Sequence, residues 1–213
     1  RSLTTFYARI GDSGGFKGYY GLTGGVSSPG LVWYINGLLA PILYVKRGRT
    51  YTFRVEGGNN PYNSYYYHPL YITNDPHGGF IEYSESERKK LQVYAGIEFD
   101  KKGRPTPTSS GRLCSWSIPS SFDKRKADSF QSFIQFRSIL NYSCEDGNAA
   151  ILQWTPNVST PDVVYYQSYT QRNMGYKIIV LDDFINSSSF KSKISHFLLI
   201  SSVLFKFVIS KVC

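Results

Sequence analysis

The sequence predicts an all-β fold, an antiparallel β-sandwich with Greek-key connections and with loop and short helical insertions. Three observations point to it. Aromatic residues make up 16% of the chain, with Tyr 18 and Phe 14 against Met 1, and aromatic side chains fit the pleated, half-buried surface of a sheet. In residues 50–55, Tyr51, Phe53 and Val55 alternate with Thr50, Thr52 and Arg54, the two-residue period of a strand with one buried face. Short apolar runs are separated by many Gly and Pro turns with no long amphipathic stretch, which favours a sandwich over a bundle.

The elements follow in order along the chain. Residues 11–30 carry Gly11, Gly14, Gly15, Gly18, Gly21, Gly24, Gly25 and Gly30, which reads as turn or linker material. They lack the strand–GxGxxG–helix context of a nucleotide site. Residues 33–37 form a strand entering a turn, residues 41–45 a second strand, and Arg47, Gly48 and Arg49 a tight turn into the alternating run. Residues 84–93 and 122–140 hold the only helical spacing, the second through Phe130, Phe133, Ile134 and Arg137. Residues 100–111 form a polar loop, and residues 151–154, 163–166 and 176–180 are further strands. The expected division is 1–30 as a Gly-rich linker or N-terminal extension, 31–183 as the sandwich, and 184–213 as a basic and apolar tail. That tail reads equally as a disordered terminus or a lipid-anchor signal; its apolar part, residues 197–208, is shorter than the ~20 residues a spanning helix needs.

Composition excludes several classes. At 213 residues with 41% hydrophobic content, the chain holds ample material for one core, so global disorder is set aside. The net charge is +9, but Lys191, Lys193, Lys206 and Lys211 lie in the tail with no acid beside them. The five charges left on the rest are ordinary for solubility, and no nucleic-acid partner is expected. Cys114 and Cys144 are the only cysteines before Cys213. They form no CxxC and enclose no His, so zinc gives way to a disulfide as the natural reading. Three glycosylation sequons begin at Asn141, Asn157 and Asn186, and with the disulfide they point to an extracellular or cell-surface location. The chain opens on Arg1 with neither Met nor signal peptide, as expected of a segment whose targeting signal lies outside it.

Three stretches taken together resemble the C-terminal region of the Skeletor family, whose members also carry DOMON domains in longer chains. The first runs from Asn36, Gly37 and Pro41 through Val45, Lys46, Arg47, Gly48 and the 50–59 segment. The second is His68-Pro69-Leu70-Tyr71-Ile72-Thr73. The third joins Leu152-Gln153-Trp154-Thr155-Pro156-Asn157 to Thr160-Pro161-Asp162-Val163-Val164-Tyr165-Tyr166-Gln167. The likeness spans about residues 31–183. The Asn-Gly…Pro…Val-x-Arg-Gly pattern and the late Tyr-Tyr…Met-Gly strand also resemble a cupredoxin, a sandwich whose copper is held by Cys, Met and two His. Carried over position by position, His68 and Met174 match, while Ser168 stands for the Cys and Gln171 for the second His. A hydroxyl and an amide replace neither thiolate nor imidazole, so the resemblance implies a degenerate copper site and no cofactor. His77 is a further imidazole only if residues 75–79 fold toward Met174.

Set against these are plain structural roles: His68 as a buried or loop histidine bonded to a carbonyl, and Met174 as core packing. The runs Arg88-Lys89-Lys90 and Lys124-Arg125-Lys126 are read as solvated faces. No Ser/His/Asp set is arguable with three histidines, so no enzyme is expected. The expected function is a non-catalytic extracellular interaction or adhesion module. Its expected partners are other domains of the same larger protein or extracellular matrix proteins, with membrane contact only through the tail. The alternatives are a copper or redox domain partnering a DOMON haem domain, and a nuclear or spindle-matrix structural protein by family association.

Overall fold

The computed structural model describes residues 3–18, 30–63 and 65–182. Asn186, Cys213 and the 184–213 tail lie outside the described residues. The described residues form fourteen strands: β1 (Thr5–Asp12), β2 (Leu31–Ile35), β3 (Leu38–Leu39), β4 (Leu43–Lys46), β5 (Tyr51–Glu56), β6 (Leu70–Thr73) and β7 (Val93–Ala95) in the first half. The second half adds β8 (Ile97–Phe99), β9 (Pro105–Pro107), β10 (Cys114–Ser117), β11 (Asn141–Cys144), β12 (Ala150–Trp154), β13 (Val163–Ser168) and β14 (Tyr176–Leu181).

One sheet runs β11-β10-β1-β2-β3, with β5 and β12 continuing from β1. The other runs β4-β14-β13-β6-β7, and β8–β9 is a separate hairpin. Their apolar faces meet in one core containing Phe6, Trp33, Phe53, Ile72, Tyr166 and Ile178. An all-β sandwich is therefore what the sequence forms.

Two expectations need correction. Residues 1–30 are not wholly a linker outside the core, because β1 lies at the centre of the larger sheet. Its residues pair with β2 on one side and with β5 and then β10 on the other. The glycine count concealed a strand in which Phe6, Ala8 and Ile10 are buried. Gly11 itself is a strand residue beneath a tryptophan: a Cβ there would stand 2.7 Å from Trp116 Cβ. Nor is the pairing antiparallel throughout, since β1–β5, β1–β10 and β14–β4 run parallel. The chain leaves the first sheet after β3, adds β4 to the second and returns at β5. That crossover brings β5 back in the direction of β1.

Part of the outer face of each sheet is covered as well. β2 is buried along its whole length, because Leu31, Trp33 and Ile35 face the main core while Val32 and Tyr34 face a second cluster. That second cluster is roofed by Ile118, Ala127, Phe136 and Leu140. They belong to the insertion holding the short helices Lys124–Ala127 and Phe133–Ser138. On the other sheet Tyr71 turns away from Leu70 and Ile72 to pack with Phe80, Ile97 and Tyr169. The helix Glu85–Arg88 closes that side, its N-terminus held by a reciprocal Ser84–Glu87 capping box of the kind that satisfies two orphan amides.

Candidate functional site

The turn after β5 fixes where His68 lies. His68 N donates to Gly57 O at 2.9 Å, and a Cβ on Gly57 would collide with the His68 carbonyl. The chain then enters β6, which pairs antiparallel with β13 so that Leu70 faces Ser168. Tyr169 N donates to Pro69 O at 2.8 Å, locking the His-Pro corner onto the end of β13.

This registry brings His68 and Ser168 together, both without solvent exposure. His68 Nε2 lies 2.8 Å from Tyr65 O, and a carbonyl only accepts, so Nε2 carries the proton. Nδ1 lies 3.2 Å from Ser168 Oγ and 3.1 Å from Thr170 Oγ1. Thr170 gives its single hydroxyl proton to Tyr67 O at 2.6 Å, which leaves the Ser168 hydroxyl to donate to Nδ1. Ser168 Oγ in turn accepts from Thr170 N and Gln171 N, each at 3.3 Å. Burial holds the His68 pKa below its usual value, outweighing the opposing pull of the Tyr65 carbonyl. The ring is a neutral imidazole with both nitrogens engaged.

Gln171 joins this cluster through its backbone N–H, and Met174 has a different setting. Met174 is fully buried in the main core, and its carbonyl accepts from Trp33 N at 2.7 Å. The donor set does not fit a cupredoxin copper. His68 Nδ1 faces two hydroxyls, and oxygen is a poor substitute for the soft thiolate such a site uses. Among the described residues no three His, Cys, Asp or Glu side chains are grouped to hold a metal.

Residues 75–79 do fold against the Met174 loop. Gly78 bridges to Arg172, Asn173 N donates to His77 O at 2.6 Å, and Gln167 Nε2 donates to Pro76 O at 2.7 Å. The anchor is buried Asp75, which accepts from His77 N, Gly78 N and the Tyr83 hydroxyl, each at 3.0 Å. Burial and the Asp75 carboxylate push the Tyr83 pKa up to about 12. His77 itself is exposed, and its Nδ1 lies 3.3 Å from Asn173 Oδ1.

Cys114 and Cys144 are disulfide-bonded, with Cα atoms 4.1 Å apart at directly opposed positions of β10 and β11. Asn141 and Asn157 are both exposed. Asn157 Oδ1 accepts from Ser159 N, Ser159 Oγ and Thr160 Oγ1 at 3.0, 2.7 and 3.2 Å. The Arg47 guanidinium, bonded to the Asn157 and Thr160 carbonyls and paired with Asp162, carries this turn.

Sequence reasoning missed one cluster altogether. Glu56, buried at the end of β5, is paired with Arg9 at 2.6 Å and Arg112 at 3.0 Å. Desolvation alone would raise its pKa, but hydrogen bonds from the two arginines hold it below the ordinary glutamate value. No local signal marked it, because Glu56 sits at a polar-out position of the alternating run and only the fold buries it.

Three known proteins share this sequence over most of its length. The chain is 46% identical over 177 residues to Protein Skeletor, isoforms B/C, of Drosophila melanogaster, covering 83% of this chain and 22% of that protein. The D/E isoforms match at the same identity, with 12% of their length covered. A plant protein, Cytochrome b561, DM13 and DOMON domain-containing protein At5g54830 of Arabidopsis thaliana, is 29% identical over 156 residues, covering 73% of this chain and 11% of that protein. Residues 143–182 match the family model of the At5g54830-like domain. The chain thus spans less than a quarter of the length of each of these relatives. No solved structure matches it.

Proposed function

Because this chain carries a domain of the Skeletor family, we propose that it works as a non-catalytic extracellular interaction module within a longer protein, on a cupredoxin-like sandwich whose copper position has become a hydrogen-bonded corner. The observation that carries this reading is the closed bonding of His68. Its two nitrogens are taken by Tyr65 O and by the Ser168 hydroxyl, so the imidazole fastens the loop before β6 to the end of β13. A blue-copper histidine would instead present one nitrogen to the metal and fix the ring with the other. The disulfide and the exposed sequons at Asn141 and Asn157 support an oxidising, secretory location. Its partners are neighbouring domains of the same protein or extracellular matrix proteins.

A second reading has one observation in its favour. The Arabidopsis relative is named for cytochrome b561 and DOMON domains, which suits an electron-transfer role beside a haem partner. A spindle-matrix structural role is the third, resting on family association.

Protein secreted from a eukaryotic host separates the three. Titration with Cu(II) is expected to leave no stoichiometric metal after gel filtration and no intense visible thiolate band; one retained copper per chain with such a band overturns the module reading in favour of electron transfer. Peptide mapping is expected to find glycan on Asn141 or Asn157. Unmodified asparagines at both sites would favour the intracellular role.

A further inference from the structure

Two basic stretches, one ending the helix Glu85–Arg88 and one in the next hairpin, meet at one concave site. Arg88 and Lys89, at the end of the helix Glu85–Arg88, and Lys102 and Arg104, at the tip of the β8–β9 hairpin, line a cavity of about 570 Å³ together with Glu85, Phe80 and Phe99. That volume falls within the ~300–1,000 Å³ of ordinary ligand sites. We propose that this cavity is a binding site for a sulfated saccharide, independent of the His68 corner.

The chemistry is a ring platform surrounded by excess positive charge. Phe80 is buried, while Phe99 leaves 51% of its surface exposed and meets Phe80 edge-on at 6.1 Å between centroids. An exposed aromatic face stacks on the apolar C–H face of a sugar ring. The four cations outnumber the nearby carboxylates: Glu85 is paired with Lys89 at 2.8 Å and Asp100 with Arg104 at 2.7 Å. Lys102 makes no ion pair among the described residues. Arg88 is pre-positioned, its Nε donating to Phe80 O and a terminal nitrogen to Ile81 O, with the guanidinium 5.7 Å from the Phe80 ring centre. A sulfate reaching Lys102 gains a charge-assisted hydrogen bond without breaking an existing pair.

Phosphates share the oxyanion chemistry, and a nucleotide also brings a ring. The saccharide is favoured because the site presents side-chain cations around an open aromatic wall. It has no glycine-rich loop running into a helix to cradle phosphates with backbone amides.

The test is calorimetric titration of the full chain with a heparin-derived octasaccharide, an unsulfated hyaluronan octasaccharide and ATP, in parallel. Saturable binding of the sulfated saccharide alone is expected, weakening about tenfold in Lys102→Gln, the loss of one such bond. Weakening of similar size is expected in Phe99→Ala. Lys126→Gln, on the other basic run, is expected to bind as the parent does. No saturable binding, tighter binding of ATP, or an equal loss in Lys126→Gln overturns the proposal. Both test side chains are exposed, and unchanged circular dichroism spectra of the variants will show that the fold is intact.

Discussion

His68 Nδ1 stands 3.2 Å from Ser168 Oγ, although one hundred residues separate them. The contact joins the turn after β5 to the end of β13, and the serine both donates to the ring and accepts from two backbone amides. Ser168→Ala leaves buried Nδ1 short of its donor, while the two amides are only part-buried. Such a buried loss costs about 1–3 kcal/mol, so a drop of roughly 2 kcal/mol is expected from urea unfolding. An unchanged midpoint would show that the hydroxyl does not hold this corner.

Acid should weaken the fold in two stages. His68 has a folded pKa lowered by burial, so below about 6.5 the unfolded chain takes up a proton that the folded chain resists. Stability is complete above that value and declines as pH falls toward the folded pKa. Glu56 is also depressed, but its contribution is complete above about 4.5 and is lost only as pH falls further. Unfolding midpoints measured from pH 8 to 3 should therefore fall first near 6.5 and again below 4.5. The first step should vanish in His68→Gln. A flat profile between pH 7 and 5 in the parent would contradict the buried neutral imidazole.

How far the sequence could be read depended on whether a signal was local. The alternation of Tyr51, Phe53 and Val55 named β5 and its buried face correctly, because a period of two is a local property. The strands flanking the Cys pair carried no such pattern. β11 is exposed at every position, and a strand that buries nothing leaves no hydrophobic period. β1 was hidden for a different reason: Gly11 serves close packing against Trp116, and composition cannot distinguish that from a turn glycine. At the candidate site the residue types were legible, and the hydrogen-bond closure around His68 was not, since Tyr65 and Tyr67 contribute only their carbonyls. The Arg9–Glu56–Arg112 cluster joins residues as far as 56 positions apart, beyond the reach of any local pattern.

That cluster should be costly to break. Glu56 is buried while its two arginines are partly exposed, with side chains at 26% and 31%. Removing one member of a buried pair costs about 3–5 kcal/mol, but these arginines regain water, so Glu56→Gln is expected to cost roughly 2 kcal/mol. The test is whether Arg9→Gln combined with Glu56→Gln costs less than the two single changes added together. Full additivity would mean that Arg9 and Glu56 do not act on each other.

Removal of the disulfide should lower stability without changing the fold. The bridge closes a sequence separation of 30, worth about 3–4 kcal/mol in the loop-entropy account. Cys114→Ala with Cys144→Ala is therefore expected to unfold at distinctly lower urea while keeping the parent's far-ultraviolet spectrum. Loss of less than about 1 kcal/mol would mean that β10–β11 pairing alone holds the ends together.

The turn that delivers Met174 to the core depends on a glycine whose backbone is unstrained but whose surroundings are full. A Cβ on Gly175 would be driven into the Tyr166 carbonyl and crowd Gln167 Cα at 3.2 Å, both on the neighbouring strand. Gly175 N also donates to Gln167 Oε1 at 2.9 Å, and Gln167 reaches on to Pro76 O. Shifting this residue therefore disturbs β13, the Met174 loop and residues 75–79 together. Backbone atoms cannot swing aside as a flexible side chain does, so Gly175→Ala is expected to cost about 3 kcal/mol, at the upper end for overpacking. Gly48→Ala is the comparison: its φ is +73° and a Cβ there would meet no atom within 4 Å, so only backbone strain of about 1 kcal/mol is expected. Thermal unfolding of both variants reads the difference, and equal losses would show that crowding at Gly175 is relieved by movement of the turn.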